Sequence, residues 1–87
     1  MRILLIEDEV KLGNFLVKGL EEEGYSVAHE TNGSEALETA ATNDFDLILL
    51  DIMLPGQSGF EVLKNMREFS IHTPIIFMSA LNESEHV

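Results

Sequence analysis

The sequence has no cysteine, few basic residues and no long hydrophobic run. The lack of cysteine excludes a disulfide scaffold, a thiolate zinc site and a cysteine nucleophile. Five Lys and Arg stand against sixteen Asp and Glu, and the formal net charge of -11 repels phosphate backbones. We therefore expect no direct nucleic acid binding by this chain. No stretch reaches the ~20 apolar residues of a membrane helix, and acidic residues follow the N-terminus too soon for a signal peptide, so we expect a cytoplasmic protein.

The length and composition indicate one small globular domain. A hydrophobic share of 45% and a charged share of 24% are ordinary for a folded protein and argue against disorder. We take residues 1–87 as a single domain, because the sequence contains no linker, repeat or low-complexity tract.

Four segments have the length and composition of β-strands. Residues 3–6 and 47–50 are continuous apolar runs, which is typical of strands covered on both faces in a parallel sheet. Residues 75–78 form a third such run, and residues 25–30 alternate more weakly and are expected nearer an edge of the sheet.

Apolar residues at helical spacing predict three helices between these strands. The residues expected to face the core are Leu12, Phe15, Leu16, Gly19 and Leu20, then Ala36, Leu37, Ala40 and Ala41, then Val62, Leu63, Met66 and Phe69. Gly24 is expected to end the first helix. The pairs Asn32 with Glu35 and Ser58 with Glu61 have the spacing of N-terminal caps. The order β-α-β-α-β-α-β predicts an α/β fold with a doubly wound parallel sheet.

Acidic residues follow two of the predicted strands. In parallel sheets of this kind, ligand sites lie at the carboxyl ends of the strands, so Glu7, Asp8 and Asp51 are expected in one pocket. Clustered carboxylates repel each other, and a hard divalent cation such as Mg²⁺ relieves that repulsion. Taken singly, Asp8 or Glu9 could instead cap the first helix, and Asp51 could begin a turn.

A carboxylate beside bound magnesium can act as a nucleophile toward phosphorus. Ser79, at the end of the last strand, could donate a hydrogen bond to a phosphoryl oxygen, although serine at a strand end is more often a turn residue. His29, His72 and His86 have no second ligand at metal spacing, and we predict that all three are surface or turn residues.

Two segments carry a resemblance to a known family: ILLIEDE at residues 3–9, and DLILLDIMLPG at residues 46–56 with Gly59 shortly after. Together they closely resemble the receiver domain of bacterial two-component response regulators, over the whole chain. The sequence of these segments resembles most the subfamily whose receiver is followed by a winged-helix DNA-binding domain. The resemblance implies a flavodoxin-like fold with strand order 2-1-3-4 in this chain, and with the fifth strand and last helix missing.

The resemblance also implies roles for individual residues. Asp51 matches the phosphoacceptor, and Ser79 matches the switch hydroxyl. Asp8 would bind Mg²⁺, or Mn²⁺ in its place, directly, Glu7 would bind it through water, and the main-chain carbonyl of Met53 would complete the protein ligands. The implied partners are a sensor histidine kinase and an output DNA-binding domain in the full-length protein.

The resemblance is incomplete at the C-terminus, where an essential lysine and an aromatic switch residue have no counterpart. Because the fifth strand that would pair with residues 75–78 is missing as well, we expect the exposed edge of the fourth strand to mediate dimerisation or exchange of elements between copies. The leading hypothesis is a signalling switch, not an enzyme. The alternative is a truncated or pseudo-receiver that binds partners without phosphorylation. An aspartyl-nucleophile hydrolase is set aside, because residues 52–57 contain no second acid to protonate a leaving group.

Overall fold

A parallel β-sheet flanked by helices forms the centre of the computed structural model, which describes residues 1–78. The elements are β1 (Arg2–Ile6), α1 (Val10–Glu22), β2 (Ser26–Glu30), α2 (Gly33–Thr42), β3 (Leu47–Asp51), β4 (Met53–Leu54), β5 (Gln57–Ser58), α3 (Gly59–Glu68) and β6 (Ile75–Met78). The main sheet has the order β2-β1-β3-β6 with every pair parallel, and β4 and β5 form a separate antiparallel hairpin. The predicted doubly wound α/β fold and the edge position of β2 are confirmed.

The two continuous apolar strands lie at the centre of the sheet, as their composition predicts. Leu4 and Ile6 of β1 pack with Ile48 and Leu50 of β3 in the main core, and all four are fully buried. Burial of such a side chain stabilises the fold by about 1.5–3 kcal/mol. Further buried residues of this core are Ala36 and Ala40 from α2 and Val62 and Met66 from α3.

The predicted helix ends are confirmed. The side-chain oxygen of Asn32 accepts a hydrogen bond from the Glu35 amide at 2.9 Å, and that of Ser58 accepts one from the Glu61 amide at 3.2 Å. These caps satisfy amide groups that have no partner within the helix. Gly24 follows the end of α1 with a φ of +93°, a backbone conformation that favours glycine.

Several residues that were expected to face the core are exposed instead. Phe15 of α1 is 73% exposed, and Gly19 and Ala41 also lie on the surface. Helix α1 packs mainly against β2 and β1, and Ile76 of β6 is 54% exposed among the described residues. Phe69 is 66% exposed because it is the C-cap of α3 and so lies beyond the last helical turn that faces the sheet.

None of the helices within residues 1–78 combines the length and the hydrophobicity that a bilayer span requires.

Candidate functional site

Three carboxylates meet at the carboxyl ends of β1 and β3. Glu7 and Asp8 directly follow β1, and Asp51 is the last residue of β3. The two strands are neighbours, with Ile6 paired to Leu50, so the residues after them lie side by side. One carboxylate oxygen from each acid lies within 4.8 Å of the others. The structure therefore brings together the three acids that the sequence pattern placed in one pocket.

Two of these acids are almost completely buried. Glu7 is 3% exposed and Asp51 is 4% exposed, whereas Asp8 is partly exposed. The pKa of Glu7 is raised to about 7, mainly by burial and further by a hydrogen bond with Asp51 and by the negative charges of Asp51 and Asp8. The Glu9 amide donates a hydrogen bond to Glu7 Oε1 at 3.1 Å, which opposes this rise in the pKa. The pocket thus places acidic groups close together where little water reaches them.

The main chain around Asp51 is held tightly. The Met53 amide donates a hydrogen bond to Asp51 Oδ1 at 3.0 Å, which fixes the orientation of the carboxylate. The Ile52 amide donates to the Met78 carbonyl at 3.0 Å, and the Gly59 amide donates to the Ile52 carbonyl at 2.6 Å. A Cβ at Gly59 would lie only 2.6 Å from the Asp51 carbonyl oxygen, so glycine permits α3 to begin directly beside the pocket.

Met53 and Ser79 are the other two predicted site residues. Met53 is 78% exposed, and its main-chain amide contacts Asp51 Oδ1. The assignment of its carbonyl as a metal ligand stays a prediction. Ser79 lies outside the described residues, as does His86.

His29 is a residue whose place the sequence analysis missed. It was predicted at the surface or in a turn, but it lies on β2, half-buried, and its Nε2 is 2.8 Å from the main-chain carbonyl oxygen of Glu7. His72 is exposed in the segment before β6, in agreement with the prediction. The signal that could have located His29 is Gly13, which is buried on α1 beneath the imidazole ring.

The donor set of the pocket fits a hard divalent cation. All three groups are carboxylates, and Mg²⁺ binds oxygen ligands, commonly one or two carboxylates together with water. A bound cation would also offset the repulsion among the acids, so this repulsion favours cation binding. The residues present are therefore suited to Mg²⁺ or to Mn²⁺.

Comparison with known proteins gives a consistent result. The family model described as "Response regulator receiver domain" matches residues 3–87. The chain is 49% identical over 78 residues to the uncharacterized transcriptional regulatory protein YkoG of Bacillus subtilis, covering 90% of this chain and 34% of YkoG. It is 42% identical over 86 residues to the transcriptional regulatory protein CusR of Escherichia coli, covering 99% of this chain and 38% of CusR. The chain therefore spans a little over a third of the length of these relatives.

Solved structures show the same fold. The response regulator TrrA of Thermotoga maritima, solved with Mg²⁺ and BeF, matches with a TM-score of 0.85 and 36% identity, covering 98% of this chain and 74% of that one. TrrA in its complex with the histidine kinase ThkA matches with a TM-score of 0.84 and 38% identity, covering 94% of this chain and 71% of that one.

Proposed function

The chain belongs to the response regulator receiver domain family, and we propose that Asp51 accepts a phosphoryl group from a sensor histidine kinase. Receiver domains are signalling switches rather than classical enzymes. The observation that carries the proposal is the buried carboxylate of Asp51 at a strand end, within 4.8 Å of the carboxylates of Glu7 and Asp8.

The proposed reaction is transfer of a phosphoryl group between two side chains. A carboxylate oxygen of Asp51 attacks the phosphorus, an O–P bond forms, and the N–P bond of the kinase phosphohistidine breaks. The departing imidazole nitrogen keeps the electron pair of that bond and takes up a proton. The hydrogen bond from the Met53 amide holds Asp51 in one orientation for the attack.

Mg²⁺, or Mn²⁺ in its place, supplies positive charge that offsets the carboxylates and the transferred phosphoryl oxygens. Asp8 and Asp51 would bind the ion directly, Glu7 would act through water, and the Met53 carbonyl would complete the set. Ser79 is the proposed hydroxyl donor to the phosphoryl group. These assignments rest on the acidic donor set and on the match with the receiver family.

The proposed partners are a sensor histidine kinase and an output DNA-binding domain in the full-length protein. The solved complex of TrrA with ThkA supports the kinase, and the transcriptional regulatory relatives support the output domain. We propose that the protein works in the cytoplasm and that this acidic chain does not itself bind nucleic acid.

A second candidate function is an interaction module that is not phosphorylated. The observation that favours it is the edge strand β6, which pairs only with β3 among the described residues and exposes 54% of Ile76. Unpaired strand edges with apolar side chains are templates for pairing with another chain. We propose that the 87-residue chain dimerises or exchanges elements through this edge.

Labelling with a small acyl phosphate distinguishes the two functions. The wild-type chain is incubated with the donor with and without Mg²⁺, and its intact mass is measured. A switch gains one phosphoryl group in the presence of Mg²⁺, Asp51→Asn gains none, and Asp44→Asn, a change at an exposed aspartate, labels normally. Labelling that persists in Asp51→Asn overturns the nucleophile assignment, and no labelling of the wild type favours the interaction module.

A further inference from the structure

His29 connects three elements around the acidic pocket. It lies on β2 opposite Leu5 of β1, its Nε2 is 2.8 Å from the Glu7 carbonyl oxygen, and its ring rests against Gly13 of α1. We propose that His29 is a positioning residue, which holds the peptide between Glu7 and Asp8 so that both carboxylates face Asp51. This inference rests on the proposed metal site, since it concerns the geometry of those ligands.

The hydrogen bond has a defined direction. A carbonyl oxygen can only accept, so Nε2 of His29 must carry the proton and donate it to Glu7. The Glu7 amide in turn donates to the Glu30 carbonyl at 3.0 Å. Two consecutive residues of β2 therefore hold both main-chain polar groups of Glu7.

These two main-chain hydrogen bonds of Glu7, which together form the anchor, constrain the side chains that follow. The Glu7 carbonyl belongs to the planar peptide unit that leads into Asp8, so fixing that oxygen fixes the plane of the whole unit. Glu7 and Asp8 are the two acids contributed by the loop after β1. Because they belong to a loop, their direction toward Asp51 depends on such contacts rather than on a regular element.

Gly13 provides the space that the imidazole occupies. A Cβ at this position would lie 2.5 Å from His29 Nε2 and 2.9 Å from Nδ1, so any larger residue would push the ring away. Glycine inside a helix costs about 1 kcal/mol relative to alanine. At Gly19 of the same helix, by contrast, a Cβ would meet nothing within 4 Å. The two glycines therefore form a matched pair for mutation.

The alternative is a purely structural role, in which His29 only fills the space between β2 and α1. If His29 had only that role, its replacement would lower the stability of the fold and leave the metal affinity unchanged. Loss of an outer partner of a metal ligand typically costs 10–100-fold in affinity. Since His29 holds the main chain rather than a ligand atom, we expect a smaller loss, of about three- to tenfold.

The first experiment compares two variants of equal side-chain length in the 87-residue chain. His29→Gln keeps an N–H donor at similar reach, whereas His29→Met lacks one, and His72→Met is the control at an exposed histidine. Mn²⁺ affinity is measured by calorimetry, and thermal unfolding is measured in metal-free buffer. We expect weaker Mn²⁺ binding for His29→Met and near wild-type binding for His29→Gln and His72→Met. Equal Mn²⁺ affinity for all four proteins would overturn the inference.

The second experiment approaches the same contact from α1. Gly13→Ala should weaken Mn²⁺ binding by a similar factor, and Gly19→Ala should not. In the His29→Met background, with no imidazole donor left to displace, Gly13→Ala should cause little further loss, because contacting residues are coupled. Additive losses would contradict a shared mechanism.

A third measurement separates this inference from the proposed function. If the wild-type chain binds no Mn²⁺, the proposed metal site fails, and the anchor is then judged by NMR alone. The anchor requires a His29 Nε2–H that exchanges slowly with water and that shows a coupling across the hydrogen bond to the Glu7 carbonyl carbon. An unprotonated Nε2, or the absence of that coupling, overturns the anchor whatever the metal result.

Discussion

A carboxylate oxygen of Glu7 lies within 4.8 Å of one of Asp51, where the adjacent strands β1 and β3 end. Both side chains are more than nine-tenths buried. Because two buried like charges at this distance repel, the metal-free pocket favours a proton on Glu7, whose pKa rises to about 7.

Without metal, the contribution of Glu7 to stability should fall as the pH rises from about 4.5 to about 7. In this window the folded state binds more protons than the unfolded state, so the free energy of unfolding decreases with pH by at most about 1.4 kcal/mol per unit. Chemical denaturation of the wild type and of Glu7→Gln in a chelator checks this. The stability of the wild type relative to Glu7→Gln should decline across the window; a constant difference would show that Glu7 is not protonated there.

Replacement of Asp51 by Asn should raise the stability of the metal-free chain by roughly 1 kcal/mol at neutral pH, because it removes a buried charge that repels the partly ionised Glu7. The same change should abolish phosphoryl labelling and weaken Mn²⁺ binding. Denaturation in chelator measures the first effect and intact mass the second. A clear loss of stability in the Asp51→Asn variant would mean that the Asp51 charge is compensated in the folded state.

Gly59→Ala should destabilise the protein by about 1–3 kcal/mol, because the new Cβ would press on the main chain of Asp51 and Ile52. Labelling of Asp51 should slow as its main chain shifts. Gly19→Ala is the control, since its Cβ meets open space and alanine favours a helix by about 1 kcal/mol. Thermal unfolding of the three proteins gives the comparison, and equal stability of Gly59→Ala and Gly19→Ala would refute the close approach.

Ile76→Lys should reduce self-association of the 87-residue chain, because a charge on an edge strand opposes pairing with another strand. Phe69→Lys changes an apolar residue of similar exposure that lies away from the edge, and it should leave association unchanged. Sedimentation velocity over a range of concentrations provides the test. A wild-type chain that stays monomeric at every concentration would contradict the proposed association through the β6 edge.

The elements of this fold could be predicted from the sequence because their signals are local. The apolar runs at residues 47–50 and 75–78, and the caps at Asn32 and Ser58, all have the predicted structure. The acidic pocket could also be predicted, since parallel strands bring their carboxyl ends to one edge of the sheet.

The orientation of single side chains could not be predicted in the same way. Phe15 has helical spacing with core residues, yet it is exposed on the surface of α1 within the described part of the chain. The position of His29 depends on the gap at Gly13, sixteen positions earlier on a different element. The exposure and contacts of these side chains depend on tertiary packing, which cannot be predicted from the pattern of a single segment.

The parallel arrangement of the main sheet also bears on the order in which the chain folds. Within residues 1–78, no pair of neighbouring strands of this sheet is joined by a short turn, and β1 pairs with β3 only after α1, β2 and α2 have intervened. Contacts between distant segments form slowly, because the entropy of loop closure is lost before they stabilise the chain. Since Glu7 and Asp51 meet only through this pairing, the pocket exists only in chains that have completed it. Phosphoryl labelling of Asp51 would therefore report on the folded fraction of a refolding sample.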